Sequence, residues 1–222
     1  MLFLTIPTAG DRARLLTPLI EDSGVPGDRI IVVATRPGVE VPPGVTVVQD
    51  LGPPNIQRWW NLGINEAVER GATVVAVSND DVRISPGTLP GLADALLSTG
   101  AAIASPARPE LPLGLHRGRL APYAPRLWGR LGALRVESGL RPDPRYVWWY
   151  GDNDLDIRAR RDHGGVVLVD VPFEHMHPSV GTARNPLLAA QTDRDARTFE
   201  QQYARLLRRS RRRARWRSRF TR

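Results

Sequence analysis

The sequence contains no cysteine and no lysine among its 222 residues. Without cysteine, disulfides, zinc–thiolate sites and thiol nucleophiles are excluded. No apolar run approaches the roughly 20 residues of a membrane-spanning helix. The first apolar run, residues 2–6, ends at Pro7 and has no basic segment before it, so it does not have the pattern of a signal peptide. We therefore expect a cytoplasmic protein.

All 31 basic residues are arginine, and they are unevenly distributed. Residues 107–145 hold 8 arginines against 3 acidic residues, and residues 205–222 hold 10 arginines and no acidic residue. Blocks of one charge usually bind a polyanion, either nucleic acid or an anionic membrane, although a terminal run can also be a solvated, disordered end. We therefore expect a domain over 1–204, with a basic acceptor-side insert at 107–145, and an arginine-rich tail over 205–222.

Short apolar strands alternate with amphipathic helices along the first half of the chain. Strands are predicted at residues 2–6, 29–34, 45–48, 73–77 and 101–104, and helices at 11–22, 56–70 and 88–98. The strands are apolar throughout, which is typical of parallel strands buried on both faces. The pattern predicts one α/β, Rossmann-like domain with a mostly parallel central sheet and helices on both faces.

The second half of the chain is less regular. Residues 107–145 hold six of the 20 prolines and show poor periodicity, so we expect a long irregular loop there. A helix is expected over 158–163, a last strand over 166–171, and a helix or a disordered arm from residue 204 onwards.

One polar cluster follows the strand predicted at 73–77. Asn79, Asp80 and Asp81 would lie at the carboxyl end of that strand, where ligands bind in open parallel sheets. Adjacent carboxylates repel each other and suit a divalent cation such as Mg²⁺ or Mn²⁺. The same residue types are also common in turns that end a strand.

Two further clusters lie near the end of the domain. Asp152, Asp154 and Asp156 fall within five residues, where a carboxylate could act as a general base or could only cap the following helix. His175 and His177 follow the last predicted strand and would point the same way on an extended chain. Either histidine could bind a metal through a neutral nitrogen.

The order of these motifs resembles that of the family-2 glycosyltransferases of the GT-A fold. The motifs are TIPT at 5–8, NLGINEA at 61–67, SNDDV at 78–82, GDNDLDIR at 151–158 and the segment 171–179 with both histidines. The resemblance implies an inverting, metal-dependent enzyme that transfers a sugar from a nucleotide-sugar, most readily a UDP-sugar, to an acceptor hydroxyl.

The resemblance also implies roles for individual residues. Asp81 would bind Mn²⁺ or Mg²⁺, with His177 or His175 completing the metal site. Asp152 would be the catalytic base, with Asp154 as its competitor. The residues expected to hold the nucleotide-sugar are Thr8, Asp11, Asn61, Asn79, Asp80 and Arg158.

Some of these assignments have alternatives. Arg158 could hold a phosphate or only pair with a nearby acid, and Asn61 could simply fix the local backbone. Two positions depart from the family pattern: no acid follows the second strand, where Ala34 is followed by Thr35, and Gly151 stands where the family has glutamate before its base.

The acceptor site is expected in and after the basic insert. Arginine binds phosphates and aromatic rings stack on bases or sugars. The residues expected to bind the acceptor are Trp128, Trp148, Trp149, Arg126 and Arg130. A near-neutral glycan would not need this charge, so we favour a polyanionic acceptor, with DNA preferred over an anionic membrane surface. A hydroxymethylated base in viral DNA, flipped out of the stack, is the first hypothesis.

Three other functions fit the same residues. The acceptor could be an envelope glycan or glycolipid, with the tail lying on the membrane as a peripheral anchor. It could be a virion protein. In a different class, the chain could be a non-catalytic nucleic-acid-binding module on a transferase fold. If the protein is viral, the expected location is the host cytoplasm.

Overall fold

The computed structural model describes residues 1–107, 110–118, 120–121, 123–127, 129–176 and 186–217, with side chains in the last range described over 188–213. The strands are β1 (Leu2–Thr8), β2 (Ile30–Ala34), β3 (Thr46–Gln49), β4 (Val74–Ser78), β5 (Val82–Ile84), β6 (Ile103–Pro106), β7 (Gly114–His116), β8 (Leu131–Arg135), β9 (Val166–Val169) and β10 (Phe173–His175). The α-helices are α1 (Ala13–Asp22), α2 (Ile56–Glu69), α3 (Thr88–Thr99), α4 (Gly151–Asp162), α5 (Pro186–Gln202) and α6 (Ala204–Arg217).

The central sheet has eight strands in the order β3-β2-β1-β4-β8-β6-β9-β7. Strands β7 and β8 are antiparallel to their neighbours, and the other six run in one direction. A second, two-stranded sheet pairs β5 with β10. The mostly parallel α/β sheet predicted from the sequence is therefore confirmed.

Helices cover both faces of the sheet. Neighbouring residues of a strand point to opposite faces, so in β1 Leu4 and Ile6 contact one core cluster while Phe3 contacts another. On the first face α1 and α3 pack against the sheet. On the second face α2 packs beside β1 and β4, and α4 packs beside β6 and β9. Because β1 and β4 are parallel neighbours, their carboxyl ends lie side by side at one edge of the sheet.

The basic insert contains two strands that the sequence did not reveal, β7 and β8. Residues 131–135 form β8, which lies between β4 and β6 in the middle of the sheet. The expectation of an irregular loop over the whole of 107–145 was wrong at this point. A glycine and an alanine occupy its centre, where Gly132 pairs with Val77 and Ala133 with Ala76. Hydrogen bonding to two neighbouring strands, which no local pattern encodes, makes this segment a strand.

The start of α4 also differs from the sequence prediction. The helix begins at Gly151 and not near Arg158, so the cluster of acids lies inside its first two turns. Helix α5 was not predicted at all. None of the described helices is long and apolar enough to cross a membrane.

Helix α2 approaches β1 closely at Gly63. A β carbon built on Gly63 would overlap the hydroxyl oxygen of Thr5, which is fully buried. Only glycine permits this separation between the helix and the strand. The contact explains on steric grounds the glycine of the NLGINEA motif.

We expect Gly63→Ala to destabilise the protein by about 1–3 kcal/mol, the usual cost of forcing an extra carbon into a packed core. Urea unfolding followed by circular dichroism measures this change. In a Thr5→Gly background, which removes both the overlapping hydroxyl and the Thr5 β carbon that would lie 2.7 Å away, the same substitution should cost much less because the two positions are coupled. Additive effects of the two changes would contradict the steric explanation.

Candidate functional site

The carboxyl ends of β1 and β4 are joined by a buried hydrogen bond. The Thr8 hydroxyl donates to Asp80 Oδ2 at 2.7 Å, and both residues are buried. Burial raises the pKa of Asp80, and the contacts with Thr8 and Arg12 partly offset this effect. The ionised carboxylate is thus costly at this position, so the site favours a nearby cation.

Arg12 supplies one such positive charge. Its Nη1 donates to Asp80 Oδ1 at 3.0 Å and to Asp81 Oδ2 at 2.9 Å, so one guanidinium bridges both carboxylates. The side chain of Arg12 remains 41% exposed, which leaves it open to a ligand. Sequence reasoning missed this residue. Its position in the loop directly after the first strand, where the ligand edge was predicted, was the available signal.

The other oxygen of Asp81 faces His175. Asp81 Oδ1 is buried and has no hydrogen-bond partner among the described residues. His175 Nε2 lies 3.3 Å from it, carried there by the pairing of β10 with β5. Burial lowers the pKa of His175, which favours the neutral imidazole that binds metals.

Asp81 and His175 are two of the predicted metal ligands. Within the described residues, no group of three or more histidine, aspartate or glutamate side chains has an arrangement that could hold a metal ion. His177, the other predicted ligand, lies outside the described residues. Asp81 Oδ1 is a buried acceptor without a hydrogen bond among the described residues, and the His175 imidazole lies 3.3 Å from it. Both groups are of the kinds that bind a divalent cation, and Mg²⁺-type sites commonly combine one or two carboxylates with substrate phosphates.

The turn at Gly129 and Arg130 connects this acidic pair to Asp152. The backbone N–H of Asn79 donates to the Arg130 carbonyl at 2.9 Å. On the other side of the turn, a β carbon on Gly129 would lie 2.9 Å from Asp152 Oδ2. Asp152 and the Asp80–Asp81 pair therefore lie on the two sides of one short turn, at the same edge of the sheet.

Asp152 stands in the first turn of α4. Its Oδ1 accepts a hydrogen bond from the Asn153 backbone N–H at 2.9 Å, and the residue is only partly buried. Tyr150, directly before the helix, has φ of 65°, in the left-handed region that non-glycine residues rarely adopt. A strained backbone beside a half-buried carboxylate is a common feature of functional sites.

Asp154 has a different environment. It is 0% exposed, and its Oδ2 accepts from Arg158 Nε at 2.7 Å. Its Oδ1 accepts from the Tyr203 hydroxyl at 2.6 Å and from Gln202 Nε2 at 2.9 Å. Both oxygens are thus occupied and shielded from solvent. Asp154 was kept as an alternative base, but these partners indicate a structural role, and Arg158 pairs with this acid instead of standing free for a phosphate.

The presence of glycine at position 151, which departs from the family-2 pattern, also has a steric explanation. A β carbon on Gly151 would overlap the side-chain amide of Gln57, which is 2% exposed. Gln57 lies in the first turn of α2. A neutral amide from another helix therefore fills the space beside Gly151, and no side chain larger than glycine's fits there without a shift.

The remaining predicted donor-binding residues are less well placed. Asp11 lies in the loop after β1 and is exposed. Asn61 Nδ2 donates to the Pro142 carbonyl at 2.8 Å and so holds a loop. At the end of β2, the Thr35 hydroxyl donates to the Thr8 carbonyl at 3.1 Å. Asp50, the other acid near this edge, is paired with Arg58 at 2.7 Å.

Known structures share this architecture. A structure of residues 1–349 of TarS from S. aureus superposes with a TM-score of 0.55 and 11% identity, over 86% of this chain and 64% of that one. The same fragment in complex with UDP gives 0.55 and 12% identity, and in complex with UDP-GlcNAc it gives 0.50 and 12%; each covers 91% of this chain and 72% of that one. The chain has a glycosyltransferase fold.

The likeness is limited to the fold. In the first of these comparisons the chain spans less than two thirds of the TarS fragment, at 64%, and it spans 35% of a further TarS structure. No family model and no curated protein matches the sequence. Membership of glycosyltransferase family 2 stays a prediction.

In this glycosyltransferase fold, α4 holds part of the basic insert. The Tyr123 hydroxyl donates to the Asn153 carbonyl at 3.2 Å. The backbone N–H of Arg126 donates to Asp156 Oδ1 at 3.2 Å, and Arg160 donates to the Ala124 carbonyl. The insert segment 123–126 is therefore fixed beside Asp152, as an acceptor-side loop would be.

The aromatic residues predicted to bind the acceptor have mixed positions. Trp148 and Trp149 are partly buried, and Trp148 packs edge-on against Trp59 with ring centroids 6.0 Å apart. Arg126 and Arg130 are likewise partly buried on the insert. Trp128 lies outside the described residues. The structure thus brings four of these five residues near the start of α4 without showing an acceptor.

A buried aspartate on α5 holds the segment before the site. Asp195 is 1% exposed. Its Oδ2 accepts from the backbone N–H groups of Trp148 and Trp149, each at 2.8 Å, and its Oδ1 accepts from that of Val147 at 3.3 Å and from Gln191 at 2.6 Å. Sequence reasoning missed this residue together with its helix, although a proline at the first helical position followed by good helix formers was an available signal.

We expect Asp195→Ala to lower the free energy of unfolding by on the order of 2–3 kcal/mol, since it leaves backbone donors without their charged acceptor. The amides of residues 147–149 should also exchange with deuterium faster. Asp193→Ala, an exposed acid on the same helix, is the matched control and should change neither quantity. Unchanged amide exchange in Asp195→Ala would show that the hydrogen bonds to Asp195 do not order residues 147–149.

Proposed function

We propose that the protein is an inverting glycosyltransferase that moves a sugar from a nucleoside-diphosphate donor to a hydroxyl of a polyanionic acceptor. One observation carries this proposal. Asp152 and the Asp80–Asp81 pair lie on the two sides of the Gly129–Arg130 turn, at the ligand edge of a glycosyltransferase fold.

The donor end of the site is the Thr8–Asp80–Asp81 edge. The similar TarS structures hold UDP and UDP-GlcNAc, which favours a UDP-sugar here. Arg12 is exposed enough to donate to a diphosphate oxygen, and its guanidinium would stabilise the negative charge that develops on the leaving group. Because no acid follows β2, the nucleobase of the donor would be held by other contacts.

A divalent cation, Mn²⁺ or Mg²⁺, fits beside Arg12. Asp81 Oδ1 and His175 Nε2 would hold it, because the first is a buried acceptor without a hydrogen bond among the described residues and the second lies next to it. His177 remains a candidate for a further ligand. When bound, such an ion supplies positive charge that stabilises the departing diphosphate.

Asp152 is proposed as the catalytic base. Its carboxylate would take the proton of the acceptor hydroxyl while that oxygen bonds to the anomeric carbon and the bond to the nucleoside diphosphate breaks. Attack from the side opposite the leaving group inverts the configuration. Asp152 is better suited than Asp154 because it is partly exposed at the edge, whereas Asp154 is buried with both oxygens occupied.

The acceptor is proposed to be polyanionic, with a hydroxymethylated base in viral DNA as the first candidate. The insert segment 123–126 is fixed by α4 beside Asp152, and the insert has 8 arginines against 3 acidic residues. Positive charge next to the acceptor site suits a phosphate-bearing polymer. Partly buried tryptophans at 148 and 149 offer stacking surfaces for a flipped base.

We expect Asp152→Asn to reduce transfer by at least about 100-fold while leaving donor binding intact, because the base acts on the acceptor and not on the donor. The assay offers UDP-sugars and Mn²⁺ with DNA containing 5-hydroxymethylated pyrimidines, and reads released UDP and the mass of digested nucleosides. Asp162→Asn, at the exposed end of the same helix, is the matched control. An active Asp152→Asn enzyme would rule out this base. Release of UDP without modified nucleosides would exclude DNA and direct attention to envelope or protein acceptors.

We expect Asp81→Asn to abolish the Mn²⁺ dependence of UDP binding, since it removes the unpaired carboxylate oxygen beside His175. Calorimetric titration of UDP with and without Mn²⁺, and of Mn²⁺ alone, measures the effect. Chelation of the metal should reproduce it in the unmodified protein. Asp94→Asn, an exposed acid on α3, should bind as the unmodified protein does. Equal Mn²⁺ binding by Asp81→Asn would contradict the metal assignment.

A further inference from the structure

Helix α6 presents a row of arginines to solvent. Arg205, Arg208, Arg209 and Arg212 recur at the spacing that places residues on one helical face, and all four are exposed. They line an open groove of about 280 Å³. None of the four has an ion pair or a hydrogen bond to another described side chain. Four neighbouring like charges repel one another, so an anion bound at this face would stabilise it.

The rest of α6 is docked against the protein. Leu206 and Leu207 pack on the aromatic cluster of Tyr146, Phe199 and Tyr203. The groove arginines are therefore held in place along the helix and do not belong to a loose arm.

Helix α6 also contacts the basic insert. The Tyr123 backbone N–H donates to the Ser210 hydroxyl at 2.8 Å, and Arg213 Nη1 donates to the Ala121 carbonyl at 2.9 Å. Tyr123 also bonds through its own hydroxyl to Asn153, the residue after Asp152. A continuous path of contacts thus runs from α6 through Tyr123 to the first turn of α4.

We propose that the arginine groove on α6 is a second binding site of this protein, which takes the phosphodiester backbone of a nucleic-acid acceptor away from the donor site. This inference rests on the proposed function for the identity of the polymer. The groove arginines run from Arg205 to Arg212, seven helical steps or about 10 Å, over which duplex DNA presents several phosphates. Arginine suits this role because its planar guanidinium makes paired hydrogen bonds to phosphate oxygens.

The packing of α6 favours nucleic acid over a membrane. A helix that lies on a bilayer needs its apolar face free to enter the lipid. In α6 the apolar residues Leu206 and Leu207 are occupied by the aromatic cluster, so the described part of the helix offers only its charged face. Binding of a phosphodiester backbone requires only the charged face of the helix.

The test measures DNA binding separately from transfer. Fluorescence anisotropy of a labelled 20-base-pair duplex is followed over a series of NaCl concentrations for the unmodified protein and for a variant with Arg205, Arg208, Arg209 and Arg212 all changed to glutamine. Each lost phosphate contact lowers the slope of log K against log salt by about 0.9, so the variant should lose about 3–4 from the slope. Arg209→Gln alone should lose about 0.9.

The matched control removes the same charge elsewhere. A variant with Arg14, Arg70, Arg161 and Arg197 changed to glutamine, all exposed and outside the groove, should keep the original slope within about 1. UDP-sugar hydrolysis should be equal in all variants, which shows that the donor site is intact. An unchanged slope in the groove variant would overturn the inference.

Two further outcomes separate this inference from the proposed function. Groove-dependent DNA binding without any sugar transfer would leave the second site standing and reject the acceptor assignment. Binding to vesicles of phosphatidylserine and phosphatidylcholine, lost in the groove variant while duplex DNA does not bind, would overturn the nucleic-acid site in favour of a membrane surface.

Discussion

Three buried carboxylates organise the part of the protein outside the central sheet. Asp154 and Asp156 are fully buried on α4, and Asp195 is 1% exposed on α5. A buried carboxylate without partners costs several kcal/mol, so each requires donors within reach. The donors come from other elements: Arg158, Gln202 and Tyr203 for Asp154; Arg160 and the Arg126 backbone for Asp156; and the backbone of residues 147–149 for Asp195. These bonds lock the insert, α4 and α5 together.

Helical geometry explains why the three acids at the start of α4 face different parts of the protein. Residues four apart lie on the same face of a helix, so Asp152 and Asp156 both turn towards the insert, whereas Asp154 lies on the other side and faces α5. Asp156 is deep enough that burial raises its pKa to about 6. Asp152 lies one turn nearer the edge of the sheet, beside Gly129, and is only partly buried. One partly exposed carboxylate and two fully buried ones thus come from a single short run of sequence.

The sequence was sufficient for most of the fold and for the donor edge. The strands and helices of the first half, and the position of Asp80 and Asp81 at a strand end, follow from continuous apolar runs and their terminators. Strand β8 escaped prediction because its centre consists of two small residues, Gly132 and Ala133, and because its pairing is set by neighbours distant in the chain. Arg12 and Asp195 were missed for the same reason, because their roles depend on which loops the fold brings together.

The packing separates the acidic pair Asp80–Asp81 from the arginines of α6. The donor edge carries Asp80 and Asp81, and one guanidinium from Arg12 offsets only part of their charge. A polyanion that approached this edge alone would be repelled, and the repulsion would persist over a Debye length of about 8 Å in physiological salt. Helix α6 places exposed arginines on the far side of the insert, fixed through Tyr123. If the proposed function holds, attraction there would hold the polymer while a single neutral hydroxyl reached Asp152, and the acidic edge would not have to face a phosphate of the acceptor.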